Sequence, residues 1–415
     1  MLHVEILERN IKLNFSKTIA FLGAAGTQLS PVLYAKQKGY RIITIDNKPD
    51  NSGHAHSDKS YNVSITAHSE VLTICKAEKV DAVIGYASDI ASETQAFVAY
   101  ELGLTGPLIE ANKVLINKWE FRSFLKAKGL QSIFFQKFEY TQLEGLQLIL
   151  ESQFNKEEKF IIKPTDSAGS KGAYVFKLKD FALEKAKQSF SFSQSKTIIV
   201  ESFIDKKSPQ ICGDGFILDG EIQFIDFGDG HFHDFEKSPV PFGETFPGSY
   251  KKEIYDQCRN KLQAILSTLT YEGPFNFDIF LTKNGDIFIN EIGPRSGGNY
   301  IPDVLGIKNG FDFVGQIVEF YLGNSPVFAS INNQNNIASY MIHSASDGLL
   351  NKVDVVEPEG MHVLSKKVFI KENDSIFKFI SGNHTIGNLL LQFDSKSTML
   401  NCFKSLNEHV TITYK

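Results

Sequence analysis

Cysteine is sparse in this chain: four among 415 residues, at positions 75, 212, 258 and 402, with no CxxC pair. That spacing indicates neither a zinc site nor a disulfide framework, and reduced, buried thiols of a cytoplasmic protein are expected. Long apolar runs are missing too, with no uninterrupted stretch of eighteen to span a membrane. The opening MLHVEILERNIKLNF places Glu5, Glu8, Arg9 and Lys12 where a signal peptide keeps its apolar segment, so none is expected. Neither sign of charge is in excess. The 43 Lys and Arg against 48 Asp and Glu leave a net charge of -5, which supplies no general attraction for nucleic acid or acidic lipid. Internal repeats of 20 to 50 residues are absent as well.

What is present is ordinary in bulk. An apolar content of 42% with 22% charged residues describes a soluble globular chain. Its length exceeds one hydrophobic core, so two to four domains are expected. From Thr18 the segments TIAFLGAAG, SPVLYAKQKGY and RIITIDNKP read as strand, glycine turn, helix and strand, a βαβ unit that opens a parallel sheet. SEVLTICKAEKV, DAVIGYAS and ASETQAFVAYELGL repeat the pattern, predicting a doubly wound α/β domain closed by TGPLIEAN. One helix is read over NKVLINKWEFRSFLKAKGL.

KFIIKPTDSAGSKGAYVFKL then reads as a hairpin with a long tip, not as a strand-to-helix turn. KTIIVESFI is a strand, QICGDGFILDGEIQFIDFGDG a strand pair turning at LDGE, and YKKEIYDQCRNKLQAILSTL a helix. GPFNFDIFLTKNGDIFINEIGPR gives two strands joined by an Asn-Gly turn. The change from parallel to antiparallel pairing makes the class α/β followed by α+β. INNQNN, polar and simple in composition, reads as a linker to a small, mostly β tail.

Several constellations carry chemistry. In KPTDSAGSKG, Ser167, Gly169, Ser170 and Gly172 can fold backbone N–H groups over an anion while Lys163 and Lys171 add charge. The plainer reading is a solvated hairpin tip, and a Walker A loop is excluded because GxxxxGK[ST] is absent. Asp278 and Glu291 stand on the two strands of the Asn-Gly hairpin, where they can lie side by side on one face. Opposed carboxylates destabilise a ladder unless a cation sits between them, and hard oxygens without histidine or cysteine suit magnesium. A Glu291–Arg295 ion pair is the bland alternative, and it leaves Asp278 unexplained. GAAG with Asp46 downstream has GxxG spacing, not the GxGxxG of dinucleotide sites. His231, His233 and Asp234 fit a polar loop, a substrate contact or a metal cluster. The 35 phenylalanines read as core filling.

Lys118 on its helix, IIKPTDSAGSKG, IIVESFI, FNFD and INEIGPR occur in an order and at spacings that resemble the ATP-grasp superfamily, over about residues 18–325. The tail resembles that of its L-amino-acid ligase branch. The resemblance implies an N-terminal parallel sheet over 1–110, two ATP-grasp subdomains over 111–200 and 201–328, and a C-terminal mostly β domain over 329–415. It assigns the nucleotide phosphates to Lys118 and Lys163, with the 167–172 loop (Ser167, Gly169, Ser170, Lys171) closing over the γ-phosphate. Glu201 would accept from the adenine amino group, and the backbone at Phe203 and Ile204 would read the ring edge. Asp278 and Glu291 would hold magnesium or manganese, and Arg295 would face the transferring phosphoryl group. Gln210 stands where the family usually has a carboxylate for the ribose, and Gly293 where it has an asparagine metal ligand.

The implied activity is ATP-dependent joining of a small-molecule carboxylate to an amine through an acyl phosphate. Gly297 and Gly298 would leave room for the acceptor and offer N–H groups to the oxyanion, with His231 and His233 as further substrate contacts. Rivals are a bicarbonate-activating enzyme resembling biotin carboxylase or carbamoyl phosphate synthetase, and a nucleotide-binding regulator without turnover. No nucleic-acid or membrane partner is expected, and a homodimer is common among similar proteins.

Overall fold

In the computed structural model, which describes residues 16–233, 240–328 and 335–415, β1 (Thr18–Leu22), β2 (Arg41–Ile45), β3 (Lys59–Tyr61) and β4 (Ala82–Ile84) form a parallel sheet. Its order is β3-β2-β1-β4. Strand alternation divides β1 between two cores. Ile19 and Phe21 pack with Val32 and Ala35 of α1 (Leu29–Gln37), while Ala20 and Leu22 pack with Val71 and Ile74 of α2 (His68–Glu78) and Val98 of α3 (Asp89–Leu102). Helices on both faces explain why these strands are apolar throughout.

The single helix expected after this sheet is two. α4 (Ile109–Ile116) stops at Asn117, whose extended backbone (φ -102°, ψ 116°) and side-chain oxygen cap α5 (Lys118–Ala127) by accepting from the N–H groups of Trp119 and Glu120. An asparagine that can satisfy two orphan donors competes with helix continuation. The break sets Lys118 at the first turn of α5.

β5 (Phe135–Glu139), β6 (Lys159–Pro164), β7 (Tyr174–Lys177) and β8 (Thr197–Ser202) form an antiparallel sheet of order β5-β8-β6-β7. It is backed by α6 (Leu146–Gln153) and α7 (Leu183–Ser191) over a phenylalanine-rich core. The β6–β7 connection is the hairpin read from the sequence.

β9 (Gln210–Leu218), β10 (Glu221–His231), β11 (Gly243–Phe246), β12 (Gly273–Leu281) and β13 (Ile287–Gly293) belong to a sheet of eight. Its order is β13-β12-β9-β10-β11-β14-β18-β16, the last three strands being β14 (Asn336–His343), β16 (Met361–Val368) and β18 (Thr385–Phe393). Tail strands therefore extend this sheet across the expected boundary near residue 329. β15 (Gly348–Val355), β17 (Ser375–Ile376) and β19 (Val410–Tyr414) form a separate small sheet, which shares a core with β14, β16 and β18 of the large one. The joint is β11, which pairs with β10 on one side and β14 on the other; its four residues give too short a pattern to read as a strand.

The residues expected as a linker lie mostly outside the described ones, as does Asp234. Cys75, Cys212 and Cys258 are buried and Cys402 partly so, and none is bonded to another. Among the described residues no helix is long and apolar enough to cross a membrane.

Candidate active site

A cavity of about 440 Å³ is lined by the β6–β7 loop, the end of β8, the β12–β13 pair and the turn before α3. One wall is acidic. The β12–β13 ladder runs Leu281↔Ile287, Phe280↔Phe288 and Ile279↔Ile289, then skips Asn290 and resumes at Asp278↔Glu291. This β-bulge sets the two carboxylates opposite each other, on the face that lines the cavity. Burial, then the facing Glu291, pushes the Asp278 carboxyl up to about 6, although Gln210, Lys206 and Arg295 offset part of that.

Asp278 accepts from Gln210 Nε2 at 2.7 Å, and among the described residues no hydrogen bond reaches the Glu291 carboxylate. Two opposed hard carboxylates with spare lone pairs fit a divalent cation. Among the described residues no three acids, histidines or cysteines are grouped closely enough to hold a metal ion by themselves, so phosphate and water would complete the shell. Gln210, expected to meet the ribose, is hydrogen-bonded at both ends of its amide, one donating to Asp278 and the other accepting from Lys206 Nζ at 2.8 Å.

The opposite wall is basic. Glu201 is 1% exposed and accepts from Arg122 Nε at 2.7 Å and from Lys163 Nζ at 2.8 Å. Burial alone would raise its carboxyl, but Arg122 and then Lys163 override it and hold the group at about 2. Lys163 shifts down from its usual value, because burial and the neighbouring Arg122 and Lys118 outweigh a carboxylate it must share. One buried carboxylate thus serves two cations, and the excess positive charge faces the cavity that Lys118 and Lys171 also line. Such a wall fits a polyanion.

Lys118 Nζ donates to the Ser167 carbonyl at 2.6 Å, which ties α5 to the glycine-rich loop. In that loop Gly169, Ser170 and Gly172 have φ of 66°, 59° and 73°. At Gly172 a Cβ would come within 2.8 Å of Phe192 and 2.9 Å of Pro164, so only glycine fits the loop's base. Both oxygens of Glu201 are already engaged. The Phe203 N–H is also committed, to the Lys159 carbonyl at 3.2 Å, whereas that of Ile204 has no backbone partner among the described residues. Ile204 therefore brings a backbone donor without a backbone partner to the cavity wall.

Arg295 is not paired with Glu291, so the bland reading fails. Its Nη2 donates to Asp89 Oδ2 at 3.1 Å and its Nη1 to the Ser296 carbonyl at 3.1 Å; Nε lies 2.8 Å from Asp89 Oδ1 but is not aligned as a hydrogen bond. Burial works against its charge, and Asp89, Glu291 and Asp214 more than offset it. Gly293 now has a reason. A Cβ there would lie 2.9 Å from Arg295 Cζ and 3.0 Å from Nη1, so the guanidinium occupies the space of a side chain at 293. Gly293→Ala should push the guanidinium aside and lower turnover by about ten- to a hundredfold with little loss of melting temperature. Unchanged turnover would show that Arg295 needs no exact seat.

Gly297 spends its N–H on Asp214 Oδ2 at 2.7 Å, so it offers none to an oxyanion, whereas Gly298 borders the cavity with open space at its Cα. His231 and His233 do not line the cavity. Alternation along β10 and beyond turns Phe232 toward it and the histidines away: His231 Nε2 lies 2.9 Å from Thr245 Oγ1, and His233 Nε2 lies 2.7 Å from His343 Nε2. Asp46 ties its own turn to the glycine turn after β1, accepting from the Lys48 N–H at 2.8 Å and from the Ala24 N–H at 2.8 Å.

The sequence reading missed Arg122 and Asp89. Arg122 follows Lys118 by four positions, one helical turn along the same face of α5, and that spacing was a usable signal.

No family model matches the chain. The D-alanine–D-alanine ligase of Helicobacter pylori (strain P12) is 24% identical over 212 residues, covering 48% of this chain and 56% of that protein. The carbamoyl phosphate synthase large chain of Campylobacter jejuni is 27% identical over 287 residues, 65% of this chain and 25% of that one. The chain thus spans little more than half the length of the first of these relatives and a quarter of the second. The crystal structure of the L-amino acid ligase from Bacillus licheniformis superposes with a TM-score of 0.77 at 17% identity, covering 97% of this chain and 99% of that one. The fold is the ATP-grasp fold.

Proposed function

We propose that this protein is an ATP-dependent carboxylate–amine ligase that works through an acyl phosphate. The observation that carries the reading is the joining, in one cavity, of the bulge-paired Asp278 and Glu291, the Arg295 guanidinium and the Lys118–Lys163 wall. Lys118 and Lys163 bind the phosphates, and the 167–172 loop, tied to Lys118, closes over them. Asp278 and Glu291 would hold magnesium or manganese, which when bound neutralises phosphate charge. The substrate carboxylate attacks the γ-phosphorus as the bond to ADP breaks, and Arg295 meets the charge on the transferring group. The amine then displaces phosphate from the activated carbonyl beside Gly298. Supporting this reading, the curated relatives named above include a ligase that joins two amino acids. We read the chain as units 1–110, 111–200, 201–328 and 329–415, the last two sharing a sheet.

The test is release of ADP and phosphate with pairs drawn from the common amino acids, against bicarbonate with ammonia, with and without EDTA. Product mass should show one amide bond, and EDTA should abolish turnover. ATP hydrolysis that responds only to bicarbonate would move the reading to a bicarbonate-activating enzyme. Binding of ATP with no turnover on any acid would move it to a regulator.

A further inference from the structure

One buried carboxyl outside the roles assigned so far faces the same cavity with half its capacity unused. Glu244, on β11, is 3% exposed and lines the cavity together with Asp278, Arg295 and Gly298. Strand alternation sends Glu244 to the cavity and Thr245 to the opposite face, against His231. Glu244 Oε1 accepts from Asn299 Nδ2 at 3.0 Å, whereas Oε2 is shut off from water and meets no donor among the described residues.

Asn299 is presented by unusual backbone, with φ of 55° and with Tyr300 following at 62°. Its carbonyl also accepts from Ser339 Oγ. Two consecutive left-handed residues other than glycine persist only where their surroundings enforce them, and such strain gathers at ligand sites. Burial pushes the Glu244 carboxyl up to about 8; the Asn299 bond works against that, and Asp278 and Asp214 add to it. An unmet acceptor beside other acids calls for a cation that brings its own donors.

We propose that Glu244, held by Asn299, is the seat for the ammonium group of the amine substrate, and so selects acceptors that arrive as cations. The inference rests on the ligase reading above. An ammonium group carries three donors, enough to meet Oε2 and still hydrogen-bond elsewhere in the cavity; it gives one proton to Oε2 before attack, and the free amine then displaces phosphate from the acyl carbon, the second N–H proton leaving with the phosphate. The ammonium charge supplies the compensation that burial withholds from the carboxylate. Gly298, with no atom within 4 Å of where its Cβ would be, leaves the neighbouring space in which the rest of the amine would lie.

The experiment sets two nucleophiles in competition: the enzyme, ATP, magnesium and an equimolar mixture of the twenty common amino acids, with hydroxylamine, largely uncharged at neutral pH, added as rival. Mass detection gives the ratio of amide to hydroxamate, and a ratio is insensitive to the fraction of folded protein. E244Q should lower it by about ten- to a hundredfold, the worth of a hydrogen bond between charged groups. E244D, which keeps the charge at shorter reach, should recover part of it. An unchanged ratio in E244Q would overturn the seat and leave the ligase reading standing. So would a shift in the magnesium requirement in place of the ratio, because Glu244 would then belong to the metal. Absence of both products from the wild-type enzyme would defeat the ligase reading itself.

Discussion

Replacing Arg295 with alanine is expected to lower turnover by about two to three orders of magnitude while ATP binding stays nearly intact. The guanidinium side chain is only 13% exposed, and it is anchored from behind by Asp89 and the Ser296 carbonyl above the bare Cα of Gly293. Its charge is thus fixed in place, and on the proposed reading it would meet negative charge that grows only as the phosphoryl group transfers. Arg295→Lys should recover part of the activity at most, because an ammonium cannot offer the planar two-donor face that Asp89 and a phosphoryl oxygen share.

Asp89→Asn is the control. It keeps the cation and weakens only its anchor, so its loss should be about tenfold. Arg295→Ala also leaves Asp89 uncompensated and removes a cation that moderates Asp214, whose buried carboxyl already stands at about 7. Activity must therefore be expressed per folded molecule, from circular dichroism and active-site titration with an ATP analogue. Turnover unchanged on that basis would reduce Arg295 to a partner of Asp89.

Asp278 and Glu291 were legible in the sequence because an Asn-Gly hairpin fixes which residues of its two strands can meet. Even there the detail was hidden: regular pairing would have put Asn290 opposite Asp278, and the bulge corrects it. The parallel sheet was legible for a similar reason, since apolar strands ending in glycine turns leave few alternatives. The partners of Arg295 and Glu201 were not. Arg295 lies 206 residues from Asp89, and Glu201 lies 79 from Arg122, so those pairs exist only once separate sheets have been assembled. The partners of Gln210 were not legible either, because an amide fits a ribose hydroxyl as well as it fits a lysine and an aspartate, and only position decides. β11, which carries Glu244 and splices the tail into the large sheet, is too short for periodicity to reveal.

Arg122→Met should destabilise the protein by about 3 to 5 kcal/mol, the cost of breaking a buried ion pair from one side. The Arg122 and Glu201 side chains are 4% and 2% exposed, and the guanidinium also donates to the Asn290 carbonyl at 2.9 Å, so it joins α5, β8 and the bulge that aligns the acidic wall. Methionine can fill much of the volume, but it leaves Glu201 with Lys163 alone. Lys163→Met should cost less stability, since Arg122 remains, and should weaken ATP binding more.

The pH dependence separates the two roles. Glu201 is held at about 2 in the folded protein, below the ordinary carboxylate value near ~4.3, so its contribution is fully present above about pH 4 and is lost as pH falls toward 2. Urea midpoints at pH 7 and pH 3 should show the wild type losing stability over that window. The Arg122→Met variant starts lower and should lose less, because nothing holds its Glu201 so far down. Equal slopes for the two proteins, or an Arg122→Met variant within about 1 kcal/mol of wild type at pH 7, would mean that Lys163 alone keeps Glu201 charged and that Arg122 is dispensable to the basic wall.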